Sequence, residues 1–331
     1  MSEVRLSNLS KAFGETIAVD DVTMTIPNGA LVTLLGPTGA GKTTILRLIS
    51  GLEQPDSGDV SIGGRSVVDD TPAQRNVAMV FQQYSLYPHM SVQDNLAFPL
   101  RSPLLKTPAE EIERKVSEIA EVLRISHKMN NKATELSGGE MQRVSIGRAL
   151  VREPTIFLMD EPLSSLDAKL RSDLRIELKR IQESLGATLL YVTHDQIEAM
   201  TMSTHVGVLD HGRLVQFGTP REIYENPVNL YVARRLGQPR INVLPADMFA
   251  GAPAGADKMG LRPEHIQQGE GKGSMVKRIE HLGDQIRLHL TLDGHDVVTL
   301  SEPHSDLEPG DTVAIQPRNP LFFDASGVRI T

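Results

Sequence analysis

A glycine-rich turn between Gly36 and Thr44 has the residue types and the spacing that binding a phosphate group requires. Its sequence, GPTGAGKTT, fits the pattern G-x-x-x-x-G-K-[ST]. Glycines let the backbone wrap closely around a phosphate with amide N–H groups pointing inward. Lys42 would place a cation against the outer phosphates, and Thr43 would offer a hydroxyl to Mg²⁺. The residues predicted to contact the nucleotide are Gly36, Pro37, Thr38, Gly39, Ala40, Gly41, Lys42, Thr43 and Thr44.

Two carboxylates and a histidine follow other strand-like runs. The mostly apolar run Thr155–Met159 ends in Asp160 and Glu161, and the run Leu189–Thr193 is followed by His194. In open parallel sheets, ligands bind beyond the carboxyl ends of the strands, so these side chains should meet the glycine-rich turn at one edge. We expect Asp160 to hold Mg²⁺ through water, Glu161 to polarise an attacking water, and His194 to contact the γ-phosphate.

The elements that must carry these residues alternate between strand and helix. Several strand candidates are apolar on both faces, which suits a parallel sheet covered by helices. They are Ala30–Leu35, Val77–Val80, Thr155–Met159, Thr188–Val192 and Val206–Leu209. Helices are predicted over Lys42–Ser50, which would present its N-terminal dipole to the phosphate, and over Ala168–Leu185, where leucines recur at helical spacing. This alternation predicts an α/β fold for residues 1–235.

The last part of the chain has a different pattern. The segment Gly251–Ala256 is small and flexible, and it marks a loop or linker. Beyond it, turn pairs such as Asp293-Gly294 and Pro309-Gly310 separate short strand candidates. Those strands are Met275–Ile279, Gln285–Leu292, Val297–Leu300, Thr312–Ile315 and Val328–Ile330. We therefore predict a small all-β domain, an OB-like barrel or a sandwich, over residues 236–331.

Composition excludes several classes of protein. The chain has 331 residues, which is about right for two domains. A formal charge of −8 argues against a dedicated nucleic-acid binder. The chain has no cysteine, which rules out disulfides and thiolate metal sites. No apolar run is long enough to span a membrane, so we expect any link to a membrane to come through a partner.

The run Leu136–Arg143, LSGGEMQR, resembles the signature motif of ATP-binding-cassette (ABC) proteins. The other motifs of that family occur in the family's order and cover the whole first region. They are the glycine-rich turn, Gln82 after an apolar strand, the signature, Asp160-Glu161, Ser164–Asp167 and His194. The resemblance implies a phosphate-loop cassette over residues 1–235, with a helical subdomain at about 88–152, that hydrolyses ATP with Mg²⁺.

The resemblance also implies a head-to-tail dimer, in which each ATP lies between the phosphate loop of one copy and the signature of the other. Backbone N–H groups at the start of a helix and a serine hydroxyl suit the signature to a second anion site. Nucleotide contacts are then implied for Phe13, which would stack on adenine, and for Ser137, Gly138, Gly139, Glu140 and Asp167. Gln82 would contact Mg²⁺ and sense the γ-phosphate as part of the catalytic set. Glu140 departs from the family pattern, where Gln is usual, and adds a charge that could tune closure or rate.

Further runs look like the ATPase subunits of bacterial carbohydrate importers of the maltose and glycerol-phosphate type. Tyr87–Val92, Asp160–Arg171 and Tyr191–Gln196 resemble that subfamily, and Leu261–His265 and Phe322–Gly327 resemble its appended β-domain. The implied role of the β-domain is regulation or dimerisation. The implied partners are a second copy or near twin, two transmembrane permease subunits and, indirectly, a periplasmic solute-binding protein, with no nucleic acid. The implied location is the cytoplasmic face of the bacterial inner membrane.

The cargo stays open at the level of sequence. Sugar, sulfosugar, glycoside, polyol and glycerol phosphate all fit the resemblance, and an oxyanion or polyamine importer is an alternative. A soluble ABC ATPase that acts on DNA or ribosomes is a further alternative. Those ATPases usually need a long coiled-coil insertion or two tandem cassettes, and this sequence has neither. A regulatory binding module centred on the β-domain is the remaining alternative.

Overall fold

The computed structural model describes residues 2–102, 105, 107–303 and 306–330. The chain divides between Pro220 and Arg221 into two compact units. Among these residues, none of the helices combines the length and the apolar character that crossing a membrane requires.

A six-stranded sheet carries the predicted motifs of the N-terminal unit. The strands of this unit are β1 (Val4–Phe13), β2 (Thr16–Ile26), β3 (Leu31–Leu35), β4 (Ser57–Ile62), β5 (Arg65–Ser66), β6 (Val77–Val80), β7 (Ile156–Asp160), β8 (Leu189–Thr193), β9 (His205–Asp210) and β10 (Arg213–Gly218). The sheet has the order β10-β9-β3-β8-β7-β6 and is parallel except for the edge pair β10–β9. All five strand candidates predicted for this unit are confirmed to within one residue at each end.

Strand β7 explains why these strands read as unbroken apolar runs. Phe157 and Met159 belong to one hydrophobic cluster, whereas Ile156 and Leu158 belong to another. The first cluster joins the sheet to the helices of one face, and the second joins it to a smaller sheet and α1 on the other. Both faces are therefore apolar, as parallel sheets between two layers require.

The smaller sheet, with the order β2-β1-β4-β5, is antiparallel and was not predicted from the sequence. In β1, Val4 and Leu6 alternate with less buried residues, but the pairing register with β2 shifts between Leu6 and Leu9. A shift of this kind interrupts the period of two by which a half-buried strand is recognised.

The helices of the N-terminal unit support the sheet from both sides. They are α1 (Lys42–Ser50), α2 (Val92–Ala97), α3 (Ala109–Val122), α4 (Gly138–Leu150), α5 (Ala168–Leu185) and α6 (Gln196–Met202), with 3-10 helices at Phe98–Arg101, Ser126–Lys128 and Ala133–Glu135. Helices α1 and α5 have the predicted bounds. Helices α2, α3 and α4 lie within residues 88–152, the segment expected to be helical.

A buried arginine holds the C-terminal end of α1. The Arg75 side chain is 2% exposed, and its Nη1 donates to the carbonyls of Leu48 and Ile49 at 2.7 and 3.0 Å. Its Nη2 donates to the carbonyl of Val68 at 3.0 Å, and its Nε donates to that of Asp70 at 3.1 Å. The last carbonyls of a helix have no partner within the helix, and a cation is favoured at that end of the dipole. Arg75 thus anchors the helix that begins at the predicted phosphate loop.

The C-terminal unit is all-β apart from the short helices that open it. Its elements are α7 (Pro220–Glu225), α8 (Leu230–Arg235), β11 (Asn242–Pro245), β12 (Lys258–Leu261), β13 (Ile266–His281), β14 (Ile286–Leu292), β15 (His295–Ser301), β16 (Thr312–Pro317), β17 (Leu321–Phe323) and β18 (Arg329–Ile330), with 3-10 helices at Ala246–Met248 and Pro263–His265. They form two antiparallel sheets with the orders β11-β12-β17-β18 and β15-β14-β13-β16. The predicted all-β class is confirmed, although β11, β12 and β17 were not predicted.

The C-terminal unit begins earlier than residue 236, where the sequence placed the boundary. Leu230 and Ala233 of α8 pack in one hydrophobic cluster with Ile241, Leu321 and Phe323. The helix is thereby part of the core of this unit. The expected linker Gly251–Ala256 is a loop inside the unit, between Ala246–Met248 and β12.

Two buried polar side chains tie this unit together. Arg262, 2% exposed, donates to the carbonyls of Ala233, Leu236 and Tyr224, which lie in or next to the opening helices. Asn242 of β11 donates to the carbonyl of Val298 at 2.8 Å and accepts from its N–H at 2.7 Å, so it joins one sheet to the other.

Candidate nucleotide and catalytic site

Four predicted site residues lie at the carboxyl ends of parallel strands. Gly36 follows β3 directly, Gln82 lies two residues beyond β6, Asp160 is the last residue of β7, and His194 follows β8. Because β3, β8, β7 and β6 are adjacent and parallel, these residues share one edge of the sheet.

Lys42 lies under the glycine-rich turn. Its Nζ donates to the carbonyls of Gly36 and Pro37 at 3.0 and 2.8 Å, and it lies 3.7 Å from Glu161 Oε1. The side chain is 5% exposed, so its charge acts in a poorly solvated place. A cation held inside a loop of backbone amides is an arrangement that binds the outer phosphates of a nucleotide.

Gly41 must be glycine for this turn to close. Its φ is 93°, and a Cβ there would lie 2.2 Å from the carbonyl oxygen of Ala18. Gly39 also has a positive φ, 82°, but a Cβ would meet nothing within 4 Å. Of the other residues of the turn, Ala40 is buried, whereas Thr38 is exposed and open to a ligand.

Thr43 and Asp160 bring two oxygen donors together. Thr43 Oγ1 donates to Asp160 Oδ1 at 3.0 Å. Burial raises the pKa of Asp160, and the hydrogen bond from Thr43 opposes this rise. A hydroxyl and a carboxylate side by side are hard ligands of the kind that Mg²⁺ prefers, so the pair fits that cation.

Glu161 adopts a conformation that is unusual for a residue with a side chain. Its φ is 43°, and its N–H donates to the carbonyl of Val192 at 3.0 Å. A positive φ costs a residue with a Cβ about 1–2 kcal/mol, and such strain collects at functional sites. The turn directs the carboxylate to Lys42 and to His194, whose Nδ1 is 2.9 Å from Glu161 Oε2.

A buried carboxyl group that we did not predict supports the strand before His194. Glu198 Oε2 accepts hydrogen bonds from Tyr191 at 2.9 Å and from Thr193 at 2.7 Å. Burial raises the pKa of Glu198, and these two hydrogen bonds oppose the rise. Asp195 caps α6 by accepting from the N–H of Glu198 at 3.4 Å. The pattern D-x-x-E at positions 195–198 indicates the start of α6, but it does not indicate the buried contacts of Glu198, because the N–H of Asp195 donates to Thr193 and not to Glu198.

Gln82 reaches the same edge through a serine. Its Nε2 donates to Ser164 Oγ at 3.3 Å, and Ser164 Oγ donates to the carbonyl of Glu161 at 2.8 Å. The segment after β6 is therefore joined by two hydrogen bonds to the residue with the strained backbone.

The signature segment starts α4 with a capping box. Ser137 is the N-cap and accepts from the N–H of Glu140 at 3.4 Å. Glu140 Oε2 accepts from the N–H of Ser137 at 2.8 Å and from its hydroxyl at 2.9 Å. Glu140 Oε1 lies 3.3 Å from Lys128 Nζ. The backbone and hydroxyl of Ser137 hold the pKa of Glu140 below its usual value, with a further contribution from Lys128.

Within the chain, the two signature glycines lie against the segment that follows Glu161. A Cβ on Gly138 would be 3.2 Å from the hydroxyl of Tyr84 and 3.5 Å from Leu166. A Cβ on Gly139 would be 2.8 Å from the side chain of Leu170, so glycine lets α4 and α5 approach closely.

Two residues implied only by resemblance occupy accessible positions. Asp167 is the N-cap of α5 and accepts from the N–H of Leu170 at 3.0 Å. Phe13, at the end of β1, is 45% exposed with Lys11 Nζ 5.4 Å from its ring centre. An aromatic ring this exposed is available for stacking and does not belong to the core.

Comparisons with known proteins agree with this geometry. The ABC transporter family matches residues 19–164, and the TOBE domain matches residues 259–320. The chain is 45% identical over 317 residues to the sn-glycerol-3-phosphate import ATP-binding protein UgpC of Brucella abortus biovar 1 (strain 9-941), covering 90% of each chain. It is 51% identical over 252 residues to the trehalose/maltose import ATP-binding protein MalK of Thermococcus litoralis, covering 74% of this chain and 67% of that one.

Solved structures of ABC cassettes have the same fold. An ATP-binding cassette of an ABC transporter in its ADP conformation matches with a TM-score of 0.62 at 28% identity, covering 70% of this chain and 98% of that chain. A dimeric cassette in a post-hydrolysis state, bound to ADP and phosphate, matches with a TM-score of 0.58 at 31% identity, covering 66% of this chain and 99% of that one.

Fold and site together define a phosphate-loop ATPase of the cassette type, which binds ATP and hydrolyses it. The chain belongs to the family of import ATP-binding proteins of ABC transporters.

Proposed function

We propose that this chain powers a carbohydrate importer, in which two copies close on MgATP and drive uptake of a sugar, glycoside or polyol through a permease. The observation that carries the proposal is the gathering of Lys42, Asp160, Glu161 and His194 at one sheet edge. The names of relatives at 45% and 51% identity, which import glycerol phosphate and trehalose or maltose, support this class of cargo.

The phosphate loop binds the nucleotide and positions its γ-phosphate. Lys42, which donates to two loop carbonyls, has the reach and the charge to take the outer phosphate oxygens. Thr43 and Asp160, whose side-chain oxygens are 3.0 Å apart, would hold Mg²⁺ together with Gln82. Bound there, Mg²⁺ would neutralise charge on the β- and γ-phosphates.

Glu161 orients the attacking water, and His194 holds Glu161. Glu161 Oε1 lies 3.7 Å from Lys42 Nζ, which would bind the γ-phosphate, so the carboxylate is placed to accept a hydrogen bond from a water that attacks this phosphate. The 2.9 Å contact with His194 and the strained backbone restrict its orientation. Positioning of this kind is the main contribution a protein makes to phosphoryl transfer.

The catalytic site is completed by a second copy. Ser137, Gly138 and Gly139 offer donors at the start of a helix of 13 residues, which suits an anion. Two copies arranged head to tail present these donors to the nucleotide on the opposing phosphate loop, with Asp167 at the seam and Phe13 against adenine. The dimeric cassette with ADP and phosphate supports this assembly.

The permease binds a cleft next to Gln82. This cleft has a volume of about 310 Å³ and is lined in part by Phe81, Tyr84, Phe98 and Arg148. Phe81 and Phe98 are 43% and 41% exposed, and large exposed apolar side chains around a cleft mark a protein-binding surface. The cleft adjoins the segment that contains Gln82, which is hydrogen-bonded to Ser164 and through it to Glu161. Closure of the dimer around ATP therefore moves a permease loop that is bound in the cleft.

The remaining assignments follow from the family. The N-terminal unit, which ends at Pro220, carries the ATPase site, and the C-terminal unit, which begins at Arg221, regulates it or stabilises the dimer. The assembly is peripheral at the cytoplasmic face of the bacterial inner membrane, and a periplasmic solute-binding protein delivers the cargo.

Substitution of Glu161 tests the catalytic proposal. Glu161→Gln should reduce ATP hydrolysis by at least about 100-fold and trap an ATP-bound dimer, because loss of a positioned base typically costs that much. Glu183→Gln, which changes an exposed carboxylate on α5, is the matched control and should hydrolyse ATP at the parental rate. Parental hydrolysis by Glu161→Gln would refute the role given to Glu161.

Substitution of Phe98 tests the permease surface. Phe98→Ser should weaken co-purification with the native permease and the stimulation of ATPase by solute-loaded binding protein. Ile176→Ser is the control, since Ile176 is an exposed apolar residue on α5, away from the cleft. Equal permease binding by both variants would show that the cleft is not the docking surface.

A further inference from the structure

The signature serine is already occupied by a carboxylate from its own helix. Both the N–H and the hydroxyl of Ser137 are within 2.9 Å of Glu140 Oε2. These are the two donors that a phosphate from an opposing copy would take from this residue. A single carboxylate oxygen therefore stands where a phosphate oxygen is expected to bind.

Glu140 has a second contact that matters once Ser137 is released. Its other oxygen, Oε1, lies 3.3 Å from Lys128 Nζ, and both side chains are partly buried, at 23% and 29% exposure. Lys128 ends a 3-10 helix ahead of the signature and belongs to a different segment. When the hydrogen bonds between Glu140 Oε2 and Ser137 break, the ion pair between Glu140 Oε1 and Lys128 can remain and neutralise the carboxylate.

We propose that Glu140 competes with the γ-phosphate of the opposing copy's ATP for Ser137, and that Lys128 draws Glu140 away when the dimer closes. Glu140 and Lys128 thus set the ATP concentration at which closure occurs. The proposal rests on the proposed function, because it needs the head-to-tail dimer.

The charge of residue 140 is the decisive property. A glutamine at this position still completes a capping box, since its amide oxygen can accept from Ser137. It is, however, a weaker acceptor than a carboxylate and does not repel a phosphate. Glu140→Gln therefore removes the competing charge and keeps the helix start, so the melting temperature without nucleotide should fall by no more than about 2–4 °C, the cost of a partly exposed ion pair.

The test measures dimer formation against ATP concentration in the Glu161→Gln background, by light scattering of the full-length chain. Glu140→Gln should lower the half-maximal ATP concentration by about fivefold, the order of the difference between charge-assisted and neutral hydrogen bonds. Lys128→Gln should raise the half-maximal ATP concentration, whereas Lys128→Arg, which keeps the positive charge, should leave it at the parental value. In the Glu140→Gln background, Lys128→Gln should have a much smaller effect, because no carboxylate remains to be drawn away.

Glu135→Gln is the matched control. Glu135 Oε2 accepts from the N–H of Lys132, the N-cap of the preceding 3-10 helix, at 3.1 Å, as Glu140 Oε2 accepts from the N–H of Ser137. It has no hydrogen bond to Ser137 among the contacts of the described residues, so its substitution should leave the half-maximal concentration unchanged.

The failures of the two proposals are distinguishable. Two results would overturn the competition alone. One is an ATP-dependent dimer whose half-maximal ATP concentration is the same with Glu and with Gln at position 140. The other is an effect of Lys128→Gln that is equally large in both backgrounds. If the Glu161→Gln chain forms no ATP-dependent dimer, the proposed function is overturned, and the role of Glu140 with it.

Discussion

Replacing Arg75 by methionine should destabilise the N-terminal unit strongly, although Arg75 lies outside every motif of the site. The guanidinium donates four hydrogen bonds of 2.7–3.1 Å to main-chain carbonyls, two of them at the end of α1. Burial lowers the pKa of Arg75, and the neighbouring Asp70 opposes this shift. An arginine stays protonated under such shifts, so the bonds are charge-assisted.

The expected loss follows from these bonds. A buried carbonyl that loses its partner costs about 1–3 kcal/mol, but removing a buried charge also recovers its desolvation cost. We expect a net destabilisation of about 2–4 kcal/mol for Arg75→Met. In a unit of this size, 1 kcal/mol shifts the melting temperature by about 2–4 °C, so the unfolding transition of the N-terminal unit should fall by about 5–15 °C.

Differential scanning calorimetry of the full chain measures this shift. Arg75→Lys should fall between the parent and Arg75→Met, because an ammonium keeps the charge but cannot reach four acceptors. Arg65→Met is the control, since Arg65 pairs with Asp70 at the surface, where ion pairs contribute little. A melting temperature of Arg75→Met within about 2 °C of the parent would refute the reasoning.

Further substitutions probe the turn, the buried carboxyl group and the sheets. Gly41→Ala should abolish ATP binding because its Cβ would lie 2.2 Å from a backbone oxygen, whereas Gly39→Ala, with open space around it, should cost only the strain of a positive φ, about 1–2 kcal/mol. The pKa of Glu198 is raised in the folded protein, so its protonation adds to the free energy of unfolding. This contribution is complete below the ordinary pKa of 4.5 and is lost as the pH rises through the pKa of the folded protein. The melting temperature of Glu198→Gln minus that of the parent should therefore increase as the pH rises, because only the parent loses this contribution. Asn242→Ala should lower the stability of the C-terminal unit by about 2–4 kcal/mol, through lost hydrogen bonds between its sheets, while basal ATPase activity is retained.

Each of these expectations can fail in a recognisable way. Equal nucleotide affinity of the two glycine variants would show that the contact with Ala18 is relieved at little cost. A difference between parent and Glu198→Gln that does not vary with pH would mean that Glu198 keeps its ordinary pKa. Unchanged calorimetry of Asn242→Ala would mean that the two sheets do not depend on that side chain.

The parallel sheet and its edge were predictable because several signals agreed. An apolar run followed at once by Gly36, Asp160 or His194 indicates both a buried strand and its carboxyl end. The residue pattern also predicted α5, whose leucines repeat at helical spacing, and the structure ends this helix at Gly186 in a left-handed conformation. Each of these features depends on residues close together in the chain.

The features that were missed depend on distant contacts. The antiparallel sheet escaped prediction because its β1 strand changes register after Leu6. Nothing in the sequence near Arg75 distinguishes it from a surface arginine, because its partners, the carbonyls of Leu48 and Ile49, are distant in the chain. The pairing of Glu140 with Lys128 likewise joins two segments whose proximity no local pattern indicates.

A cryo-EM structure of the Glu161→Gln protein with MgATP tests the central claim most directly. We expect two copies in which each ATP contacts the turn around Lys42 in one copy and Ser137 in the other. An ATP that is bound at Lys42 while both Ser137 segments remain in solvent or on another ligand would contradict the account.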